Sequence, residues 1–187
     1  VPVGTIGDIC QANRLEIIEN VPAVQPDQGT YDPARSHRRN TGNTDLSGSG
    51  TLAIVDAGTT ATTGSGSQSN GTLTGAGSFT VNGPFTWSGG TQRGTGTTNF
   101  NGLLTLNSSS LKSLGANGEA RSLEINSGAV MTDSGAMYVF GGSAINNNAG
   151  VFDIQSDADI YASTGGGSFN NAGTLIKSIG VGGTART

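Results

Sequence analysis

The chain has 187 residues, of which 32 are glycine and only 12% are charged, and its formal net charge is -4 at pH 7. An acidic chain without clustered Lys and Arg lacks the positive surface that neutralises phosphates, which excludes nucleic acid as the main partner. No apolar run approaches the roughly 18 residues of a membrane-spanning helix, and the low charge argues against disorder. The composition favours short β-strands stacked around a narrow core.

Residues 1–45 are predicted to form an extended N-terminal arm and linker, because four of the five prolines lie there. The arm contains one apolar strand, which ends before Val21-Pro22. The arm residues expected to contact a neighbouring subunit are Ile9, Cys10, Leu15, Ile17, Ile18, Val21, Arg35, Arg38 and Arg39. The alternative for the basic residues is a solvated linker, and for the single cysteine a small buried side chain.

Residues 46–187 are predicted to form a second domain that is β throughout. Short apolar-alternating runs recur there around Asn and Gly, and the anchoring residues are Asn82, Asn101, Asn126, Asn148 and Asn171. Their near-constant steps, with two short strands per step, are typical of a solenoid. We therefore predict a right-handed parallel β-helix (β-solenoid) with coils of about 19–25 residues.

The five anchoring asparagines are predicted to occupy one turn of each coil. Asn and Gly both tolerate positive φ at a corner, and stacked Asn side chains can hydrogen-bond as a ladder. The longest step, from Asn101 to Asn126, is attributed to an insertion in the segment 112–121. An isolated Asn-Gly hairpin at Asn82 is the alternative, but five recurrences favour a turn that each coil reuses.

Asp153, Asp157 and Asp159 are the candidate metal ligands. Alternate residues of a strand share a face, so Asp157 and Asp159 could hold a Ca²⁺ ion together with carbonyl oxygens and water. The alternative is an acidic surface that only keeps the protein soluble. The one histidine, His37, lies in the arm, so no catalytic arrangement of Ser, His and Asp or of Cys and His can be named. We expect no enzyme activity and, apart from Ca²⁺, no cofactor.

Three segments, 85–91, 94–98 and 169–174, resemble the Gly-rich parallel β-helix repeats of secreted bacterial adhesins, which include filamentous-haemagglutinin-like and autotransporter-like surface proteins. The resemblance spans roughly residues 46–183 and leaves out the arm. It implies an extracellular or cell-surface location and a solenoid that works as a stiff stalk or filament. It also implies other copies of the chain, or surface glycans, as partners.

The expected function is that of an extracellular structural or adhesive module, a filament subunit joined through the arm. No capping helix is predicted at the end of the stack, and an uncovered end would propagate into a polymer. The alternative function is a polysaccharide-binding or polysaccharide-cleaving β-helix that uses the acidic face. A third is an ice-binding solenoid, which needs threonine rows in register.

Overall fold

The structure is a computed structural model that describes residues 15–17, 37–39 and 42–178, except 117 and 133; for 15–17 and 37–39 it describes the backbone. These residues contain 21 short strands and no helix. The strands form three seven-stranded sheets, and their neighbours pair in parallel throughout.

Each sheet takes every third strand of the chain. Sheet A consists of β1 (Leu15–Ile17), β4 (Thr51–Ile54), β7 (Thr72–Thr74), β10 (Gly90–Gln92), β13 (Lys112–Leu114), β16 (Met137–Val139) and β19 (Ile160–Ala162). Sheet B consists of β2 (His37–Arg39), β5 (Thr60–Thr63), β8 (Ser78–Val81), β11 (Thr97–Phe100), β14 (Ser122–Ile125), β17 (Ala144–Asn147) and β20 (Ser168–Asn171). Sheet C consists of β3 (Asn43–Leu46), β6 (Ser65–Gln68), β9 (Phe85–Trp87), β12 (Leu104–Leu106), β15 (Gly128–Met131), β18 (Val151–Ile154) and β21 (Thr174–Lys177).

This topology is a parallel β-solenoid, and from β4 to β21 the chain makes six turns. The predicted all-β fold, with parallel strands stacked coil upon coil, is confirmed. The expectation of two strands per coil is wrong, because each coil contains three. β10 of sheet A is one of the strands that were not predicted, because its sequence Gly-Thr-Gln lacks apolar alternation and buries only Gln92.

The core is a set of interior columns, because alternate side chains of every strand point inward. In sheet C one column runs through Phe85, Leu104, Ala129 and Phe152, all of which are buried. Trp87 is buried in the neighbouring column, and its indole Nε1 donates to the carbonyl oxygen of Gly89 over 3.0 Å. The single tryptophan is therefore a core residue.

The N-terminal arm contributes strands to the same stack. β1 pairs with β4, β2 with β5, and β3 with β6. β3 alternates exposed and buried side chains and buries Thr44 and Leu46, as a solenoid strand does. The predicted boundary between residues 45 and 46 falls within β3, and the division of the chain into two domains stays a prediction. Of the expected contact residues, Leu15, Ile17, Arg38 and Arg39 lie in β1 and β2, whereas Ile9, Cys10, Ile18, Val21 and Arg35 lie outside the described residues.

The long step from Asn101 to Asn126 comes from two longer connections. The segment between β12 and β13 spans 107–111, where the previous coil needs only 88–89. The segment between β13 and β14 spans 115–121, where the previous coil needs only 93–96. The expected insertion at 112–121 thus contains a regular strand at its start and accounts for only part of the extra length.

Tight corners between sheets A and B depend on glycine. Gly75 and Gly94 lie above one another with φ of +106° and +85°, in the left-handed region that favours glycine. A Cβ atom on Gly94 would lie 2.4 Å from the carbonyl oxygen of Gly75. Successive coils therefore approach each other too closely at this corner for any side chain.

Candidate functional site

Four of the five predicted turn asparagines form a ladder along one exposed corner. Asn101 Nδ2 donates to Asn82 Oδ1 over 3.0 Å, and Asn126 Nδ2 donates to Asn101 Oδ1 over 3.0 Å. Asn148 Nδ2 then donates to Asn126 Oδ1 over 2.9 Å. The amides of Asn101 and Asn126 each use the NH₂ group towards one coil and the carbonyl oxygen towards the next, so the row links four coils on the outside of the molecule.

Asn171 is not a member of this ladder. It pairs in register with Asn147, one residue before Asn148, and therefore occupies an interior column. Asn147 Nδ2 donates to Asn171 Oδ1 over 2.7 Å. Asn147 is fully buried, and its Oδ1 atom has no hydrogen-bond partner among the described residues. The predicted step from Asn148 to Asn171 thus joined two different columns.

Glu124 lies on the outward face of sheet B, beside the ladder. Its Oε1 accepts a hydrogen bond from Asn146 Nδ2 over 2.6 Å and another from the Ser122 hydroxyl, and its Oε2 accepts one from Asn148 Nδ2 over 2.8 Å. Partial burial alone would raise the pKa of Glu124, but the hydrogen bonds donated by Ser122, Asn148 and Asn146 outweigh this effect and lower it. The carboxylate is thus part of the polar network that joins neighbouring coils.

The three candidate aspartates have separate partners. Asp153 of β18 accepts hydrogen bonds from Gln155 and Ser178, which follow β18 and β21, and these bonds lower the pKa of Asp153. Asp157 pairs with Lys177, with 3.2 Å between Oδ1 and Nζ. Both Asp157 and Asp159 lie in the connection between β18 and β19, outside a strand. Nowhere in the described ranges do three His, Cys, Asp or Glu side chains form a group that could hold a metal ion.

A chain of hydrogen bonds between buried polar side chains crosses the interior. Arg121 Nε donates to Thr98 Oγ1 over 2.9 Å, and Thr98 Oγ1 donates to Gln92 Oε1 over 2.9 Å. Gln92 Nε2 donates to Gln68 Oε1 over 3.0 Å. All four side chains are buried, so this chain is isolated from solvent. It spans three neighbouring coils and ties them together from the inside.

Arg121 contributes a fully buried positive charge to this interior chain. Its Nη1 atom donates to the carbonyl oxygens of Arg93 (2.9 Å) and Gly75 (3.4 Å), and its Nη2 atom donates to that of Thr97 (3.3 Å). These acceptors are neutral oxygens at the corner between sheets A and B. Burial lowers the pKa of Arg121 to about 10, so the guanidinium remains charged at neutral pH.

An aromatic cluster lies on the outward face of sheet A. Tyr138 of β16 is in register with Tyr161 of β19, and their ring centroids are 5.3 Å apart with 31° between the ring planes. Phe140 follows on the same side, 6.4 Å from Tyr138 and again at 31°. The Tyr161 hydroxyl donates to Asp159 Oδ2 over 2.7 Å. Tyr161 is 45% exposed.

A row of hydroxyl side chains precedes the two tyrosines in the same column of sheet A. Thr51, Thr72, Thr91 and Ser113 pair in register from β4 to β13, and Ser113 pairs with Tyr138. The threonine row therefore runs over three strands before it ends.

The last described coil exposes side chains that other coils bury. Leu175 occupies the sheet C column of Phe152, but it is 47% exposed whereas Phe152 is 0% exposed. β19, β20 and β21 are the terminal strands of their sheets, and β1, β2 and β3 are the terminal strands at the opposite end. Each sheet therefore has one unpaired strand edge at each end of the described stack.

A scan against protein-family models found no match, and neither did the comparisons with curated proteins and with solved structures. Over the described residues, the chain has no helix of the length and hydropathy that would cross a bilayer.

Two of these features were not predicted from the sequence, namely the interior position of Arg121 and the aromatic cluster. The interior position of Arg121 was missed because it depends on the lengths of the connections around β13. The aromatic cluster was missed because Tyr138 and Tyr161 lie on different coils and meet only through strand register. The signal that could have found the cluster is the coil period itself, applied to tyrosine instead of asparagine.

Proposed function

We propose that this chain is a non-catalytic, extracellular structural and adhesive module whose copies associate end to end into a filament. The observation that carries the proposal is the coil β19–β21, the last coil of the described residues, where Leu175 occupies a core column and is nevertheless half exposed. At the opposite end of the described stack, β1–β3 are terminal strands with edges of the same parallel kind. A head-to-tail contact between these two ends would continue all three sheets, and such a heterologous contact propagates.

The arm has a modified part in this proposal. Its strands β1–β3 provide the receiving edge of the joint instead of reaching across to a neighbouring subunit. The extracellular location rests on the likeness to secreted β-helix repeats. The non-catalytic assignment is supported by the separate partners of Asp153, Asp157 and Asp159.

The test is negative-stain electron microscopy of the full chain, together with its mass in solution over a range of concentrations. We expect filaments or a concentration-dependent rise in mass. Leu175→Asp should abolish both, because a charge in the joint would remain desolvated and unpaired. Leu111→Asp is the matched control, since Leu111 is similarly exposed but lies in mid-stack. A monodisperse monomer at all concentrations would contradict the proposal.

A further inference from the structure

We propose that the outward face of sheet A binds a neutral polysaccharide, with Tyr138, Phe140 and Tyr161 as the stacking surface and Asp159 as the hydrogen-bonding group. We refer to these four residues as the aromatic platform. The site goes beyond the structural function and does not depend on self-association, because it lies on the side of the solenoid and not at its ends.

The rings of the aromatic platform are not part of the core. The buried rings are those of Phe79, Phe85, Trp87, Phe100 and Phe152. The platform rings instead alternate with the inward-facing Met137 and Val139, and therefore point outward. The sheet A column that leads to them consists of Thr and Ser. Clustered aromatic side chains on a polar surface mark a binding site more often than a packing requirement.

The three rings form one row with Tyr138 in the middle. Tyr138 is tilted by 31° against both Tyr161 and Phe140, at centroid distances of 5.3 and 6.4 Å. A row of rings on an outward sheet face offers aromatic surface on which the C–H groups of a pyranose ring can pack, whereas a quaternary ammonium ion is held by rings that enclose it.

The polar group of the platform, the Asp159 carboxylate, is held in place by a hydrogen bond. The hydrogen bond from Tyr161 to Asp159 Oδ2 orients both side chains before any ligand arrives, which reduces the entropy lost on binding. The same bond, with the negative charge of Asp159, raises the pKa of Tyr161, so the phenol remains a neutral donor. Asp159 Oδ1 remains available, since the described residues donate no hydrogen bond to it. A few polar groups beside an apolar surface are what orients a ligand.

The charge of the protein and the length of the sheet A column favour a neutral, linear ligand. The net charge of -4 and the Asp159 carboxylate disfavour anionic glycans, which leaves neutral ones. Thr91 and Ser113 continue the column of Tyr138 and Tyr161 at a strand spacing of about 4.8 Å. A linear chain laid along the solenoid axis would therefore meet the two rings first and hydroxyl groups after them.

The experiment is co-sedimentation of the full chain with insoluble cellulose, chitin and curdlan, with soluble polygalacturonate as a competing anionic glycan. We expect binding to at least one neutral polysaccharide and no competition by polygalacturonate. The variant Tyr138→Ala/Tyr161→Ala should bind about tenfold more weakly. The matched control is Leu103→Ala/Val151→Ala, which removes two exposed apolar side chains on the sheet C side of the solenoid and should bind as the native chain does.

A second measurement avoids any loss of folding in the tyrosine variant. Cello-, chito- and laminari-oligosaccharides titrated into the native chain should change the near-ultraviolet absorption of tyrosine, while the buried Trp87 contributes no change. Asp159→Asn should weaken binding and return the pKa of Tyr161 towards its ordinary value.

Four results would overturn the proposal. These are no binding to any of the three polysaccharides, equal binding by the tyrosine variant, competition by polygalacturonate, and a self-association that the tyrosine variant abolishes. The last result would assign the platform to a second copy of this chain. Leu175→Asp keeps the two proposals separate, because it should prevent end-to-end association and leave polysaccharide binding unchanged.

Discussion

Arg121 donates from Nε to the hydroxyl of Thr98 over 2.9 Å, although the two residues are far apart in the sequence. Both side chains are fully buried between coils. A buried charge is normally compensated by an opposite charge, whereas Arg121 relies on Thr98 and three carbonyl oxygens. The guanidinium therefore occupies the place of an apolar core residue and satisfies carbonyl groups of the corner between sheets A and B.

Arg121→Met should lower the free energy of unfolding by about 2–4 kcal/mol, because it removes the donor to buried acceptors that no solvent can reach. Arg93→Met is the control, since the Arg93 side chain is exposed and only its carbonyl group contacts Arg121. Urea denaturation of both variants measures the difference. Equal stability of the Arg121 variant and the native chain would show that the interior chain of hydrogen bonds has no net effect.

Asn101→Ala should destabilise the chain about twice as much as Asn82→Ala. Asn101 is in the middle of the ladder and takes part in two side-chain hydrogen bonds, whereas Asn82 takes part in one. Each exposed bond contributes about 0.5–1.5 kcal/mol, so thermal melts of the two variants should differ measurably. Identical melting temperatures of the two variants would show that the second hydrogen bond of Asn101 adds nothing to stability.

Gly94→Ala should be more damaging than Gly118→Ala. Both glycines have similar positive φ, +85° and +80°. The added Cβ would lie 2.4 Å from the carbonyl oxygen of Gly75 in the first case and has nothing within 4 Å in the second. We expect about 1 kcal/mol for Gly118→Ala and at least twice that for Gly94→Ala. Gly118→Ala measures the cost of positive φ alone. The difference between the free energies of unfolding of the two variants therefore measures the cost of the close contact with the Gly75 carbonyl oxygen.

Acidification should reduce stability partly through Glu124. Its pKa is lowered in the folded state, so its contribution is fully present above the ordinary value of 4.5 and is lost as the pH falls through the lower folded value. Glu124→Gln should flatten the decrease in melting temperature between about pH 6 and pH 3. The analogous substitution at an exposed carboxylate, Asp56→Asn, is the control. An unchanged slope in the Glu124 variant would assign the acid sensitivity to other groups.

The fold could be predicted because the solenoid repeats one local pattern. Apolar and polar residues alternate in segments such as Phe79-Thr80-Val81, so the apolar side chains share one face of the strand whichever strands lie beside it. Segments of this kind recur at the coil period. Strands such as β10 of sheet A were less visible, since Gly90-Thr91-Gln92 has no apolar alternation and buries only Gln92. Backbone pairing with neighbouring coils, and not side-chain pattern, makes them strands.

The site was less predictable, because register decides which residues meet. Asn146, Asn147 and Asn148 are consecutive, and a shift of one residue transfers a side chain from the surface to the interior. The prediction paired Asn171 with Asn148 and was therefore one residue out of register, because the structure pairs Asn171 with Asn147. The position of Arg121 depends in the same way on two connections whose lengths have no local signature.

The parallel pairing has a mechanical consequence. The hydrogen bonds between coils run along the solenoid axis, so a pull on the two ends loads them coil by coil instead of shearing whole sheets. The coil between Asn82 and Asn101 occupies one strand spacing of about 4.8 Å when folded and extends to about 65 Å when released. Under tension the stack would therefore lengthen in discrete steps, and the buried Arg121 would make the coils around β11 and β14 the last to open.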